Sequence, residues 1–220
     1  VPAEALGGER RRQAIELEGV LAYGTGPRFA TVSGRIPMWR VTTVPSWDAL
    51  ALALRDAYDL AAEAHGPVLP LAGRVLGQPD PVASVREAAR LALDTIEFDP
   101  SGGRGSALQV PLPAEETVEA GRGRAVDRAV LLVALLRTAE LRAEVLFTST
   151  SAQPLEGRDA APQLNQILVL VPGVSLEVGG EPLYIDPSRS SAWLGALDEA
   201  LLGRDVLLLA PTAARWLRLG

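Results

Sequence analysis

The sequence predicts an α+β domain in which one buried helix packs on a largely antiparallel sheet. Three observations predict it. The run Ala129-Val130-Leu131-Leu132-Val133-Ala134-Leu135-Leu136 is apolar on every helical face, so its helix must be enclosed on all sides. After residue 142 the apolar pattern shortens to strand length, with candidate strands over 143–148, 167–171, 182–185 and 206–209. Turn residues such as Gly179-Gly180 separate neighbours, and sequential strands joined this way tend to lie side by side.

The elements follow in order. Residues 1–12 read as polar and mobile. Ile15, Leu17, Gly19 and Leu21 lie at period-two spacing, and a second strand pattern covers 29–36. Gly24-Thr25-Gly26-Pro27 between them has turn chemistry, which predicts a hairpin. Residues 38–44 continue as an extended stretch. Residues 1–44 are therefore expected to form a short β segment, the end of a preceding β domain, with the core domain at 45–220. Ser46 is a candidate N-cap for a helix reaching about residue 64, and Gly66-Pro67 stops it. A short helix is expected over 69–76. Pro79-Asp80-Pro81 introduces another over 82–96. Residues 97–120 form the longest expected irregular stretch, rich in Ser and Gly at 101–106 and broken by Pro111 and Pro113. The apolar helix at 125–138 and a later helix between 192 and 202 complete the prediction.

Composition bounds the chemistry. A chain of 220 residues that is 48% hydrophobic can bury a sizeable core, and 5% aromatics means that the core is chiefly aliphatic. A net charge of -6 gives no whole-protein attraction to nucleic acid. The one compact basic run, Arg10-Arg11-Arg12, reads as solvated. The chain has no cysteine, which excludes disulfides, thiolate catalysis and Cys-ligated metals. His65 is the single histidine, so multi-histidine zinc and iron sites are excluded, and it reads as exposed or capping. No metal or cofactor is expected. No run approaches the ~18 apolar residues of a membrane span. The start lacks the apolar core of a signal peptide, and the opening on Val1 is read as trimming from a longer chain. The compartment stays open.

The stretch Gly123-Arg124-Ala125-Val126-Asp127-Arg128-Ala129 before the apolar helix resembles the nucleophile-helix motif of the transglutaminase-like superfamily, roughly Gly-Asp-Cys-Lys-Asp-Lys-Ala. Leu164-Asn165-Gln166-Ile167 matches that family's Asn-His before an apolar strand, and Ile185-Asp186-Pro187 its Leu-Asp-Pro. The later Gly195-Ala196-Leu197 and Gly203-Arg204-Asp205-Val206, and upstream Val44-Pro45-Ser46-Trp47, also resemble it. The likeness covers about residues 38–210 and is closest to the core of bacterial multidomain proteins. It implies a papain-like fold and a degenerate triad: Ala125 at the cysteine position, Gln166 at the histidine position, and Asp186 retained. Alanine has no nucleophilic atom, and glutamine does not titrate near neutrality.

Other residues admit two readings each. Asp127 sits in the first helical turn, where a carboxylate favours the unpaired N–H groups. Arg122, Arg124 and Arg128 surround the same helix start. They could hold an anion there, or pair with Glu115, Glu116, Glu119 and Asp127. Asn165 and Trp193 are further candidates for partner contact. Thr148, Ser149 and Thr150 carry hydroxyls, but no motif sets a base beside them. The resulting expectation is a non-catalytic domain that binds a protein or peptide, possibly another domain of the same polypeptide, through the cleft near Ala125, Gln166, Asp186 and 99–120. The alternatives are a hydrolase or acyltransferase with a non-cysteine nucleophile, an anion-binding module at the start of helix 125–138, and a purely structural unit.

Overall fold

In the computed structural model, which describes residues 4–6, 10–12, 47–102, 109–150, 164–176, 182–209 and 214–219, the chain divides into two units, Val1–Trp39 and Arg40–Gly220. In the first unit β1 (Glu4–Leu6) and β2 (Arg10–Arg12) pair antiparallel, with Ala5 opposite Arg11. Residues 4–6 and 10–12, read as part of a polar mobile stretch, are thus strands: strand pairing is a backbone matter and does not require apolar side chains. The candidate strands at 15–21, 29–36 and 38–44, and the Ser46 cap, lie outside the described residues.

The second unit begins with helices. α1 (Trp47–Ala61) buries Leu50, Ala51, Tyr58 and Ala61 along one face. α2 (Val68–Leu76) buries Val68, Ala72 and Val75. α3 (Pro81–Leu93) starts at Asp80, whose carboxylate accepts from Ala83 N at 2.8 Å, with Pro81 supplying a first position that needs no N–H. Glu87 on α3 joins the two helices. It accepts from Arg90 at 2.8 Å and from Arg74 of α2 at 2.7 Å. The Arg90 hydrogen bond, chiefly, holds the Glu87 carboxyl below its ordinary 4.5. A depressed carboxyl contributes stability above its unfolded value, and that contribution is lost as the pH falls through its folded value. Glu87→Gln is therefore expected to be less stable than wild type at pH 7, with the difference closing below 4.5. Urea melts at both pH values check it, and a pH-independent gap would refute the ion-pair account.

The described parts of 97–120 hold regular elements that were not expected, and residues 103–108 lie outside the described residues. β3 (Glu97–Phe98) pairs in parallel with β4 (Arg122–Gly123), and α4 (Ala114–Ala120) lies between them. Pro113, then Glu115 and Glu116 in the first turn, then Gly121 at φ 64 accepting the left-handed exit, are the start and stop signals of that helix. They were present in the sequence but were outweighed by the prolines and glycines around them.

α5 (Ala125–Thr138) is the centre of the unit, and every residue from Val126 to Leu136 is buried. α2, α3 and α4 pack on some of its sides, while strands β5 (Glu144–Thr148) and β6 (Gln166–Val171) pack on another. With β7 (Leu183–Ile185), β8 (Asp205–Leu209) and β9 (Ala214–Arg218), these form a five-stranded antiparallel sheet in the order β7-β6-β5-β8-β9. Period-two alternation sorts its side chains. Val145, Phe147, Ile167, Val169, Ile185 and Leu207 face the helices. Leu146, Leu168, Leu170, Val206 and Leu208 face the other way, beneath Leu201 and Leu219. The mixed α/β class with an antiparallel sheet is as expected. β9 was not anticipated, because Arg215 and Arg218 break its pattern, yet Trp216 meets Trp47 edge-on at 4.9 Å. The helix expected between 192 and 202 is corrected to two short 3-10 turns, Ser191–Trp193 and Glu199–Leu201. Gly195 at φ 80 breaks the helical path, and a Cβ there would lie 2.7 Å from Leu176 Cδ1.

Candidate functional site

The site forms where α5 starts. Asp127, three residues into the pattern, is buried, and its Oδ2 accepts from Arg124 N at 2.9 Å. This satisfies one unpaired N–H of the helix start from the N3 side chain. The same carboxylate accepts from Leu112 N at 2.8 Å and from the Arg124 guanidinium at 2.7 and 2.8 Å. Arg124 then reaches Gln109 Oε1 at 2.8 Å and Val110 O at 3.0 Å. Tyr58 donates to Gln109 O at 3.3 Å, and burial first, then Asp127, pushes its phenol far above the ordinary range. Residues 109–112 are thus fastened to α1 and α5 at several points. The Asp127 hydrogen bond likewise pushes the Arg124 guanidinium upward.

Arg128 is the site's buried cation, 2% exposed. Its Nε donates to Ala92 O at 3.3 Å, and its Nη2 to Leu93 O and to Arg189 O, the latter at 3.0 Å. It therefore caps the carbonyl end of α3 and ties it to the segment after β7. Its guanidinium also lies 5.4 Å from the Phe98 ring. Desolvation pulls its pKa down, and the fields of Asp94 and Asp186 oppose that. Of the two readings of Arg122, Arg124 and Arg128, pairing describes Arg124, and the three do not share the cleft lining. Arg124 is committed to Asp127, Arg128 is sealed on backbone carbonyls, and Arg122 is exposed on β4 outside the cleft.

A cleft of about 550 Å³ opens beside this helix start. From the helical side it is lined by Phe98, Asp99, Gln109, Arg124, Ala125 and Val126. From the sheet side it is lined by Thr150, Asn165, Gln166, Ile167 and Asp186, and by Ser188, Arg189, Asp198 and Leu201 of the segment that follows. Ala125, Gln166 and Asp186 thus share one cleft, at the first residue of α5, the first residue of β6 and the residue after β7. Asn165 does not reach out. It accepts from Thr150 N at 2.9 Å and donates to Thr150 Oγ1 at 3.0 Å, closing the ends of β5 and β6.

Gln166 and Asp186 share no hydrogen bond, although both line the cleft. Asp186 Oδ1 instead accepts from Ser188 N at 2.9 Å and from Ser188 Oγ at 2.6 Å, and Arg189 Nε stands 3.4 Å from its other oxygen. A carboxylate two residues before a serine is taken by the local turn first. Trp193 is 55% exposed and lies 5.0 Å from the Arg189 guanidinium, next to the cleft but not in its lining. Sequence reasoning missed Ser188, Arg189, Asp198 and Asp99. Asp186-Pro187-Ser188 was the one available signal, since Asp-Pro-Ser is turn chemistry.

The other candidates lie elsewhere. Thr148 donates to Asp205 O at 2.9 Å, and Ser149 is buried outside the cleft. His65 is exposed beside Glu63 at 3.1 Å. Among the described residues no group of three or more carboxylates or imidazoles is placed to hold a metal ion. Among them, too, no helix is long and apolar enough to cross a membrane.

Among solved structures, the chain is similar to a protein from Parabacteroides distasonis described as a "putative protease", with a TM-score of 0.53 and 14% identity over 80% of this chain. It spans 32% of that protein's length. Identity at this level speaks for a shared fold alone. No protein-family model and no curated protein matches the chain.

Proposed function

We propose that residues 45–220 are a transglutaminase-like (papain-like) domain without catalytic activity, whose cleft binds a protein or peptide segment. One observation carries this reading: Ala125, Gln166 and Asp186, far apart in sequence, line the same cleft at a helix start, a strand start and a strand end. Thiol acyl transfer needs a sulfur at the helix N-terminus, an imidazole to lower its pKa and move a proton, and an orienting carboxylate. The cleft has a methyl group, an amide and a carboxylate at those places. The cleft holds no thiol, amine or imidazole to take their place. The chain has no cysteine, its 21 basic residues are all arginine, and its one histidine lies outside the cleft. The helical wall is held by the Arg124–Asp127 clamp and the sheet wall by the Asn165–Thr150 pair, so the shape persists without the chemistry. The similar structure is about two and a half times as long, which favours a domain of a larger polypeptide as the partner's source.

The experiment introduces Ala125→Cys alone and together with Gln166→His, and follows alkylation by iodoacetamide against pH. Neither variant is compared for turnover; the thiol pKa is the readout. The single variant should titrate near the ordinary thiol value of about 8.5, and the double variant at least ~1 unit lower through an imidazolium neighbour. Superimposable profiles would remove position 166 from the assigned triad.

A second reading rests on the Ser188 hydroxyl, 2.6 Å from Asp186 Oδ1 in the cleft. It would make Ser188 a replacement nucleophile for a hydrolase or acyltransferase. The contact shares its acceptor oxygen with Ser188 N, as a turn does. Labelling of Ser188 by a fluorophosphonate would favour this reading over the non-catalytic one.

A further inference from the structure

The charged groups of the cleft differ in how far they are committed. Both lining cations are already held. Arg124 is bound to Asp127, Gln109 and Val110. Arg189 donates to Asp198 at 2.9 Å, and its Nε faces Asp186. The carboxylates at the rim are open to water. The Asp198 side chain is 49% exposed, and Glu199 beside it is exposed. Asp99 makes a turn contact from Ser101 N at 2.8 Å. The lining holds three carboxylates, Asp99, Asp186 and Asp198, against two guanidinium groups. Behind the lining, buried Asp127 and buried Arg128 cancel each other, so the lining's own excess stays negative, with exposed Arg122 near Asp99 outside it. Asp99 belongs to the helical side and Asp198 to the sheet side, so the acidic groups flank the cleft.

Apolar residues form part of the cleft floor, beside the buried Asp186. Ala125, Val126, Ile167 and Leu201 supply apolar surface. The Gln166 amide lines the same floor and makes no hydrogen bond among the described residues. An amide carries a donor and an acceptor side by side, which is the complement of a peptide group.

We infer that the cleft takes an extended cationic peptide segment, with its backbone on the Gln166 amide and its basic side chains on Asp99 and Asp198. The inference rests on the peptide-binding reading above and adds the partner's charge. A basic side chain at Asp198 competes only with Arg189, through an ion pair that is half open to water on the Asp198 side and therefore weakened. An acidic segment would find both lining cations occupied and would meet like charge at both rims.

The test uses the whole chain and three N-acetylated, C-amidated heptapeptides carrying a neutral dye: alternating arginine and alanine, glutamine and alanine, or glutamate and alanine. Binding is read by fluorescence anisotropy at low and high salt. The arginine peptide should bind about tenfold tighter than the glutamine peptide at low salt, and the glutamate peptide should not bind. Asp99→Asn with Asp198→Asn keeps an acceptor for Ser101 N at 99 and for Ala200 N, 3.0 Å from Asp198 Oδ1, at 198, and should weaken the arginine peptide about tenfold. Glu115→Gln with Glu116→Gln removes the same charge from α4, outside the cleft, and should change nothing beyond the error. Ala125→Trp fills the floor and should abolish binding. Equal loss in the Glu115 and Glu116 variant would overturn the inference in favour of a diffuse field. Equal affinity for the arginine and glutamine peptides, still abolished by Ala125→Trp, would overturn the cationic preference and leave peptide binding standing. Failure of all three peptides would overturn both.

Discussion

Leu132→Asp is expected to leave the second unit unfolded at 25 °C. Leu132 is 0% exposed at the middle of α5, with helices on some sides and the sheet on another. The nearest cation on the helix, Arg128 one turn earlier, is already committed to the carbonyls of Ala92, Leu93 and Arg189. Burying an unpaired charge costs several kcal/mol even after relaxation, on the order of the ~5–15 kcal/mol that stabilises a domain. Leu132→Met, which keeps volume and polarity, should lose less than about 1.5 kcal/mol. Far-ultraviolet circular dichroism with urea melts separates the two. A folded Leu132→Asp protein with a melt like wild type would mean that α5 has an open face.

Arg128→Met carries the second largest expected effect. The side chain keeps much of its packing volume but loses every donor. The carbonyls of Ala92, Leu93 and Arg189 then remain buried without their guanidinium partner. Each unsatisfied buried group costs roughly 1–3 kcal/mol, and removing the charge also relieves its desolvation penalty. The net loss should be about 3 kcal/mol, because only one side of the interaction has been replaced by an apolar group. Arg128→Lys should rescue little, since one ammonium cannot span three carbonyls as a planar fork can. Thermal melts of both variants check this. An unchanged midpoint for Arg128→Met would mean that desolvation cancels the three hydrogen bonds.

These two residues also mark what a linear reading can and cannot find. Leu132 was legible. Its whole neighbourhood is apolar on every helical face, and only enclosure makes that tolerable in water. The strands at 144–148, 166–171 and 205–209 were legible for a related reason: a short apolar run can be satisfied within a sheet buried on both sides. Arg128 was not legible. An arginine in a first helical turn reads as exposed, and nothing nearby in sequence announces that the carbonyl end of α3, 35 residues earlier, needs a donor. α4 was missed because its start and stop signals sat among prolines and glycines read as a loop. β3 and β4 were missed because two-residue strands have no period, and their parallel pairing joins positions 25 residues apart.

The candidate site divides in the same way. Its three central positions were named from the family resemblance, and the structure lines one cleft with Ala125, Gln166 and Asp186. The sequence alone also settled its largest chemical constraint, the absence of any thiol, since a residue type missing from the chain is missing from every fold it could adopt. Tertiary structure decided the rest. It put Asp186 in a turn with Ser188 instead of against Gln166, locked Arg124 onto Asp127, and brought Asp99 and Asp198 to the same cleft from segments about a hundred residues apart. Apolar pattern is a local property, readable from neighbours along the chain. The partner of a polar group is chosen among all the groups that packing brings within hydrogen-bond reach, and that choice exists only once the chain has folded.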